Sequence, residues 1–280
     1  MDTERLNTKP TDRYAVIGHP ISHSRSPIIH RLFAEQTGQS INYEALDVPP
    51  DELQSALESF LKTGGHGLNV TVPHKTAVME LMDSLTPQAK LAGAVNTVTR
   101  KDDDTLEGDN TDGIGLLSDL RDNLNIELID SSILILGAGG ATRGILPPLL
   151  EQIPAEVVIA NRTVEKAKGL ANAFADLGTL RACGFEDLGD QEFHVIINAT
   201  SAGLEGDLPP FPTSIIQPNV ICYDLAYSMK DTPFVSWAKQ HGCTRAYQGW
   251  GMLVEQAAES FAIWRGVRPE TASVRRQLPK

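Results

Sequence analysis

The sequence predicts an α/β protein in which an N-terminal α/β substrate domain is joined to a Rossmann-type dinucleotide-binding domain. Apolar strand-like runs alternate with helix-like segments along the chain, which is typical of mostly parallel sheets. One run, residues 133–136, is apolar throughout and leads directly into a glycine-rich turn, as in dinucleotide-binding folds. A C-terminal helix is expected to return and pack on the first domain. The predicted limits are 1–112 for the substrate domain, 113–248 for the dinucleotide-binding domain and 249–280 for the C-terminal helical segment.

The elements of the first domain have recognisable beginnings and ends. Ser26 and Pro27 open its first helix, with the serine as N-cap and the proline at the first helical position, and Gly38 closes it. Pro73 stops the third strand, and the acidic run 102–104 is typical of a solvated hairpin turn. The predicted strands are 14–17, 42–48, 68–72, 94–100 and 105–108, and two further predicted helices span 50–62 and 112–124.

The second domain continues the alternation of strands and helices. Pro147 and Pro148 lie inside its first crossover helix and should kink or shorten it, because proline lacks the N–H that the helix needs. After the turn Gly249-Trp250-Gly251, a last helix is predicted. The predicted strands are 133–136, 157–160, 195–197 and 220–223, and the last helix spans 252–265.

Composition restricts the class of protein and its partners. At 280 residues the chain can bury a large core and hold two domains. The net charge of −12 argues against nucleic acid or an anionic membrane as partner. The three cysteines lie far apart, no His/Cys cluster has metal-ligand spacing, and the polar N-terminus carries no apolar signal core. We therefore expect a cytoplasmic, metal-free protein that binds a small molecule, as a monomer or homodimer.

The segment from 133 to 162 indicates the cofactor. Glycines in the turn 137–141 let the backbone approach a pyrophosphate at the N-terminus of the next helix. NAD enzymes place an acid just past the second strand, where it accepts from the ribose 2′-hydroxyl. This chain has Asn161-Arg162-Thr163 there, with Lys166 close by, and the cations suit the 2′-phosphate of NADP. Because Thr142 breaks the G-x-G-x-x-G/A pattern, the turn alone also fits an ordinary strand-to-helix connection.

Polar residues gather at three places ahead of this segment. Residues 18–27 end a strand and begin a helix, where serines and a helix N-terminus can bind a carboxylate. Residues 69–75 end a strand at the edge where open α/β folds bind ligands, and residues 108–113 precede a helix. Taken singly, each cluster also fits a structural role, such as a helix cap or a surface lysine.

Together the motifs resemble those of the shikimate dehydrogenase family, from residue 13 to residue 265. The matching segments are Gly18, His23-Ser24, Ser26-Pro27, Asn69-Val70-Thr71, Pro73, Lys75, Gly93-Ala94-Val95-Asn96-Thr97, Gly108, Asn110-Thr111-Asp112-Gly113, Gly137-Ala138-Gly139-Gly140-Ala141, Asn161-Arg162-Thr163, Asn198-Ala199-Thr200-Ser201, Gly203, Gly251-Met252-Leu253-Val254 and Gln256. The resemblance implies an NADP-dependent enzyme that reversibly reduces 3-dehydroshikimate to shikimate, in the pathway to chorismate and the aromatic amino acids.

The resemblance also implies roles for individual residues. Lys75 acts as acid/base at the reacting oxygen, and Asp112 orients it and binds a hydroxyl; which of the two passes the proton stays open. Hydride addition creates an alkoxide, which needs a proton donor or a fixed positive charge. His74 falls in a variable position of the motif and is read as a bystander. The other implied substrate ligands are Ser24 and Ser26 at the carboxylate, Thr71, Asn96 and Gln256 at ring hydroxyls, and Tyr227 near the carboxylate.

The implied cofactor ligands follow the same motifs. They are Gly137, Ala138, Gly139, Gly140 and Ala141 at the pyrophosphate, Asn161, Arg162, Thr163 and Lys166 at the adenosine phosphate, Thr200 and Leu225 beside the ribose and nicotinamide, and Gly249 and Met252 at the nicotinamide. Two residues depart from the family pattern. Lys166 stands where many members have arginine, and lysine lacks the bidentate fork that grips phosphate. Trp250 is bulkier than expected.

Three alternatives stay open at this point. A quinate/shikimate dehydrogenase would use broader substrates and often NAD, usually with an acid at the adenosine tip. A non-catalytic ligand-binding homologue would have lost Lys75 or Asp112, and both are present. A folate dehydrogenase/cyclohydrolase has a similar two-domain plan, but Ser24, Asn96 and Gln256 favour a small polyhydroxylated acid over a pterin.

Overall fold

Two six-stranded sheets form the framework of the structure, a computed structural model that describes residues 11–200 and 208–278. This confirms the predicted α/β class with mostly parallel pairing. The limits of the predicted domains stay a prediction. Within the described ranges, no helix combines the length and the apolar character that crossing a membrane would require.

The first sheet has the order β2-β1-β3-β5-β6-β4. Its strands are β1 Asp12–Gly18, β2 Ile41–Asp47, β3 Gly65–Val70, β4 Ser84–Leu85, β5 Thr97–Arg100 and β6 Leu106–Asp109. β1 pairs in parallel with β2 and β3, whereas β3, β5 and β6 are antiparallel neighbours. The hairpin across the acidic run is therefore confirmed, and Asp104 adopts the left-handed conformation that its turn requires. β4 was not predicted, because a two-residue strand leaves no periodic signal.

In the described ranges, α1 Ser26–Thr37, α2 Leu53–Lys62 and α3 Pro87–Ala92 accompany this sheet. α4 Asp112–Ser118 follows its last strand in the chain and buries Leu116 in the core of the second sheet. Gly38 ends α1 in the left-handed conformation, as predicted. The N-cap assignment was wrong by one residue: Arg25 is the N-cap, and Ser26 is the first residue of the helix, with its hydroxyl free of capping. A 3₁₀ turn at Pro50–Glu52 precedes α2, and a π-helical turn at Asp119–Asn123 extends α4, so both predicted helices have the expected overall span.

The second sheet is parallel throughout, in the order β12-β11-β10-β7-β8-β9. Its strands are β7 Ser132–Leu136, β8 Glu156–Ala160, β9 Leu180–Cys183, β10 Val195–Asn198, β11 Ile221–Asp224 and β12 Arg245–Gln248. β7, the first of these strands along the chain, lies in the centre, with β8 and β9 on one side of it and β10, β11 and β12 on the other. This is the strand order of the dinucleotide-binding fold. β9 and β12 were not predicted, because they are short edge strands with polar residues.

The described part of the chain places three helices on this sheet: α5 Gly140–Leu150, α6 Val164–Ala173 and α7 Pro233–Gln240. Pro147 and Pro148 do not interrupt α5, which continues past them to Leu150. Pro148 has no N–H to donate to the carbonyl of Gly144. Gly113 of α4 packs against the ring of Pro148 and against that carbonyl. A Cβ on Gly113 would lie 2.7 Å from that carbonyl oxygen, so the two helices approach each other closely.

The C-terminal helices α8, Trp250–Arg265, and α9, Thr271–Gln277, return to the first sheet as predicted. Their apolar residues join α1 in one buried cluster, in which the rings of Phe33 and Phe261 lie 5.7 Å apart. Arg265 fixes the far end of α8 to β1 through Asp12 and Tyr14. The start of α8 thus lies near one sheet while its length packs on the other.

His30, at the centre of this cluster, is a buried polar residue without a polar role. Its ring has no exposed surface and stacks on Tyr43, with centroids 4.1 Å apart. Neither ring nitrogen has a hydrogen-bond partner among the described residues. Burial lowers the pKa of His30 to about 3, an effect that the nearby Asn69 offsets only in part.

We predict that His30→Phe stabilises the protein, and more so in mild acid. At pH 7 the aromatic contacts stay while unpartnered nitrogens are removed, a gain of about 1 kcal/mol in unfolding free energy. The pKa of His30 is lowered in the folded state, so wild type loses stability as the pH falls below about 6.5. The gain should therefore grow by about 2 kcal/mol at pH 5. Urea unfolding at pH 7 and at pH 5 measures the difference in unfolding free energy between His30→Phe and wild type. Replacement of the exposed His241 by Phe is the control. A difference of the same size at both pH values would contradict the prediction.

Candidate active site

A lysine–carboxylate pair lies between the two sheets. Lys75 follows β3, Asp112 begins α4, and Lys75 Nζ donates to Asp112 Oδ2 over 2.5 Å. The two side chains are 16% and 5% exposed, so the pair is largely withdrawn from water. Asp112 lies in the first turn of its helix, where backbone N–H groups favour a negative charge. The sequence-predicted pair is therefore brought together.

Asn96 holds the other oxygen of this carboxylate. Its Nδ2 donates to Asp112 Oδ1 over 2.8 Å and reaches Thr111 and Gln256 at 2.9 and 3.3 Å. The backbone N–H of Thr111 donates to Asn96 Oδ1, which fixes the orientation of the amide. The predicted residues Asn96, Asp112 and Gln256 thus share one network. Thr111, for which the motif alone predicts no role, joins this network by accepting from Asn96 through its hydroxyl.

A hydroxyl-rich end of the site surrounds the start of α1. The backbone N–H of Ser26 donates to Ser24 Oγ, and Ser26 itself is buried. Tyr43, which the sequence reading missed, donates to Asn69 Oδ1 over 2.7 Å. Burial raises the pKa of Tyr43 well above its usual value, against a lowering by its hydrogen bond with Ser26. No local pattern marks Tyr43, because its partners come from α1 and β3.

Tyr227 approaches this end from the loop after β11. Burial raises the pKa of its phenol, which a hydrogen bond with the backbone of Arg25 partly counters. Its ring lies 4.6 Å from that of Trp250, whose Nε1 donates to Ser228 O. The bulky Trp250 therefore supports the loop that carries Tyr227. Arg25 reaches across to Met229 of the same loop, so the segment before α1 and the loop after β11 are in contact here.

Thr71 and His74 lie on the same short segment but face different surroundings. Thr71 follows β3 directly, and its backbone N–H donates to Ile17 O. The ring of His74 is buried, with Nε2 2.6 Å from the carbonyl oxygen of Val48. That contact holds the imidazole against the backbone of the first sheet.

The glycine turn after β7 has the shape of an anion cradle. Gly137 has a φ of +107°, and a Cβ there would lie 3.0 Å from the backbone of Ala199. Gly139 has open space before it, with no atom within 4 Å of an added Cβ. The start of α5 also faces the lysine segment, since a Cβ on Gly140 would be 4.0 Å from Lys75 Cβ. A pyrophosphate at this turn fits beside the lysine–carboxylate pair.

The basic tip lies at the end of β8, the neighbour of β7. Asn161 Nδ2 donates to the carbonyl of Thr163, and Arg162 and Lys166 are exposed. Glu165 forms its ion pair with Lys168 at 2.9 Å. In the described chain, Glu165 has no such ion pair with Lys166, so the acid does not neutralise the tip. These residues lie together where β8 leads into α6.

The residues expected at the ribose and nicotinamide gather at the ends of β10 and β11. Thr200 Oγ1 donates to Asn198 Oδ1 over 2.8 Å, and the N–H of Leu225 donates to Asn198 O. Gly249 has no room for a side chain, because a Cβ would overlap the carbonyl of Leu225. The predicted residues Thr200, Leu225 and Gly249 are therefore neighbours.

Met252 is tied to the core of the second sheet. Its N–H lies 3.4 Å from Tyr223 Oη, and Tyr223 donates to Asp119 Oδ2 over 2.6 Å. Burial raises the pKa of Asp119, and the tyrosine hydroxyl partly offsets this rise. The buried pair fixes the first turn of α8 beside the nicotinamide positions.

A dinucleotide cradle beside a paired ammonium and carboxylate defines the class: an NADP-dependent oxidoreductase. Comparison with known proteins identifies the family. Residues 16–98 match the shikimate dehydrogenase substrate binding domain, 120–205 match shikimate/quinate 5-dehydrogenase, and 249–278 match the shikimate 5′-dehydrogenase C-terminal domain. The chain belongs to the shikimate dehydrogenase family.

Individual relatives span nearly the whole chain. The shikimate dehydrogenase (NADP(+)) of Methylococcus capsulatus is 56% identical over 267 residues, 95% of this chain and 95% of that protein. An Ael1 enzyme from Pseudomonas putida has a TM-score of 0.88 at 45% identity, covering 96% of this chain and 99% of that one. Shikimate 5-dehydrogenase from Thermus thermophilus, solved with NADP(H) and shikimate, has a TM-score of 0.84 at 35% identity, covering 95% and 98%.

We predict that Gly144→Ala lowers activity. A Cβ on Gly144 would lie 3.0 Å from Asp112 Oδ2 and 3.0 Å from Asn110 Oδ1, so the carboxylate must shift. A displaced catalytic group should cost about tenfold in kcat. Gly169→Ala in α6 is the matched control, since it has open space around it and should add up to about 1 kcal/mol of helix stability. Full activity of Gly144→Ala would contradict the prediction.

Proposed function

We propose that the protein is an NADP-dependent shikimate dehydrogenase, which reversibly reduces 3-dehydroshikimate to shikimate in the route to chorismate and the aromatic amino acids. The observation that carries the proposal is the Lys75–Asp112 pair facing the start of α5, where the pyrophosphate cradle begins. The family membership and the names of the relatives support the same reaction.

The chemistry requires a proton source at the substrate ketone. Gly249 and Met252 would hold the nicotinamide of NADPH, which would supply the hydride. Lys75 then protonates or neutralises the alkoxide, because its ammonium is held in place by Asp112. Asp112 also accepts from a substrate hydroxyl, and Asn96 keeps its second oxygen oriented. The low exposure of the pair strengthens these electrostatic contacts.

Substrate recognition is assigned to neutral polar groups. Ser24 and Ser26 bind the carboxylate with the N-terminus of α1, and Tyr227 closes on it from the other sheet. Thr71, Asn96 and Gln256 bind the ring hydroxyls; the hydrogen bonds among Asn96, Thr111 and Gln256 support this placement. An analogue without a hydroxyl would leave such a group unpaired, which makes the contacts selective.

Cofactor recognition is assigned to both ends of the first βαβ unit. The proposed ligands are Gly137, Ala138, Gly139, Gly140 and Ala141 at the pyrophosphate, Asn161, Arg162, Thr163 and Lys166 at the 2′-phosphate, and Thr200, Leu225, Gly249 and Met252 toward the nicotinamide. Exposed cations without an acidic residue at the end of β8 support NADP over NAD.

The remaining assignments complete the proposal. We assign residues 1–112 to substrate binding, 113–248 to NADP binding and 249–280 to the helical segment that packs on the first domain. We place the protein in the cytoplasm, as a monomer or homodimer. The second candidate function, a quinate/shikimate dehydrogenase, is tested by initial rates of shikimate and quinate oxidation with NADP⁺ and NAD⁺. A strong preference for shikimate with NADP⁺ is expected, and comparable rates with quinate or NAD⁺ would favour the broader enzyme.

We predict that Lys75→Ala loses about a thousandfold in kcat, because the alkoxide loses its proton donor and positive charge. NADP⁺ binding, followed by fluorescence titration, should stay within about twofold, because Lys75 lies on the substrate side of the turn. Lys90→Ala, in the last turn of α3, is the control for loss of a lysine and should keep full activity. A Lys75→Ala enzyme that turns over at the wild-type rate would refute the assignment.

We predict that Arg162→Ala raises the KM for NADP⁺ about tenfold and leaves the KM for NAD⁺ nearly unchanged. A charged hydrogen bond to phosphate is lost, and only NADP⁺ carries that phosphate. Lys168→Ala, an exposed lysine paired with Glu165 on α6, is the neighbouring control. An unchanged ratio of the two Michaelis constants would show that the tip does not select the cofactor.

A further inference from the structure

Ser260 is a fully buried serine on the inner side of α8, one turn beyond Gln256. Its Oγ lies 2.9 Å from Asn69 Nδ2, 2.8 Å from Thr97 Oγ1 and 3.1 Å from the carbonyl oxygen of Gln256. A hydroxyl is not needed to build a helix interior, where alanine is the better helix former. The polar contacts of Ser260 therefore need an explanation beyond the helix itself.

We propose that Ser260 is a positioning residue for the Lys75–Asp112 pair, acting through Thr97 and Asn96; the inference rests on the function proposed for that pair. Thr97 Oγ1 lies 2.9 Å from Asn96 Oδ1, and Asn96 Nδ2 donates to Asp112 Oδ1 over 2.8 Å. Asp112 in turn accepts from Lys75 through its other oxygen. A continuous chain of buried side chains thus joins the C-terminal helix to the proton-transfer pair.

Proton counting shows what Ser260 decides. A hydroxyl has one proton to donate. When Ser260 donates to Thr97, the proton of Thr97 is available to Asn96 Oδ1. When Ser260 donates instead to the carbonyl of Gln256, Ser260 Oγ and Asn96 Oδ1 compete for the one proton of Thr97. Ser260 therefore decides whether the proton of Thr97 is committed to Asn96 Oδ1, the oxygen of the amide whose Nδ2 donates to Asp112, and buried polar chains of this kind strengthen one another.

A second branch leads to the other end of the site. Asn69 Nδ2 donates to Ser260, and Asn69 Oδ1 accepts from Tyr43 over 2.7 Å. The ring of Tyr43 in turn stacks on His30 of α1, the helix that begins at Ser26. The hydroxyl of Ser260 thus joins two sets of side chains. One leads through Asn69 to Tyr43, beside α1, and the other leads through Thr97 and Asn96 to Asp112.

The test compares Ser260→Ala with Ser131→Ala. Ser131 is also buried, and its Oγ donates to Leu128 O over 2.6 Å at the opposite end of the second sheet. We expect Ser260→Ala to lower kcat for shikimate oxidation about tenfold, with the KM for NADP⁺ unchanged, because small displacements of reacting groups slow chemistry strongly. The primary deuterium isotope effect with shikimate labelled at the reacting carbon should increase. Ser131→Ala should lose comparable thermal stability but no kcat.

A kcat of Ser260→Ala within twofold of wild type, or an unchanged isotope effect, would overturn the inference. Ser260→Thr and Ser260→Val guard against a folding defect, since both add the same bulk and only threonine keeps a hydroxyl. Threonine should retain several-fold more kcat than valine, and equal values would refute a role for the hydroxyl. Wild type without shikimate activity would instead refute the proposed function, and this inference with it.

Discussion

The buried contact between Lys75 and Asp112 constrains the rest of the site. Removing an ammonium and a carboxylate from water is costly unless both are paired and their remaining atoms are hydrogen-bonded. Here Asp112 uses one oxygen for Lys75 and the other for Asn96, and its place in the first turn of α4 adds favourable backbone dipoles. The ends of β3 and the start of α4 must therefore hold fixed positions relative to each other.

Close packing of three helices makes that geometry possible. Gly144 of α5 lies against the Asp112 carboxylate, and Gly113 of α4 lies against the carbonyl of Gly144. Gly115, one turn along α4, has no room for a Cβ because the backbone of Gln256 from α8 lies against it. Small residues thus let α4, α5 and α8 meet at the pair without side chains between them. The absence of side chains at these positions is a packing requirement and not a source of flexibility.

The sequence predicted what local patterns determine. Continuous apolar runs marked the central strands, and turn residues marked the glycine cradle and the hairpin, because each signal lies within a few neighbouring residues. The short strands β4, β9 and β12 lacked such a signal. Ser26 was misplaced by one position at its helix start, where boundaries are least determined. Ser260 and Tyr43 were missed for another reason: Asn69, the partner of both, lies 191 residues from Ser260, and only the tertiary fold brings them together.

The acidic character of the chain bears on how it recognises anions. With a net charge of −12, long-range attraction does not favour a carboxylate or a phosphorylated cofactor. Recognition must come from local donors: serine hydroxyls and helix N–H groups at the proposed carboxylate site, and backbone N–H groups at the glycine cradle. The adenosine tip proposed above instead has exposed cations, at a place where solvent lowers the cost of charge. Neutral donors at the substrate carboxylate have a further consequence. In the proposed binding mode they would satisfy that anion without drawing on Lys75, so the ammonium would stay paired with Asp112 at the atom where charge develops.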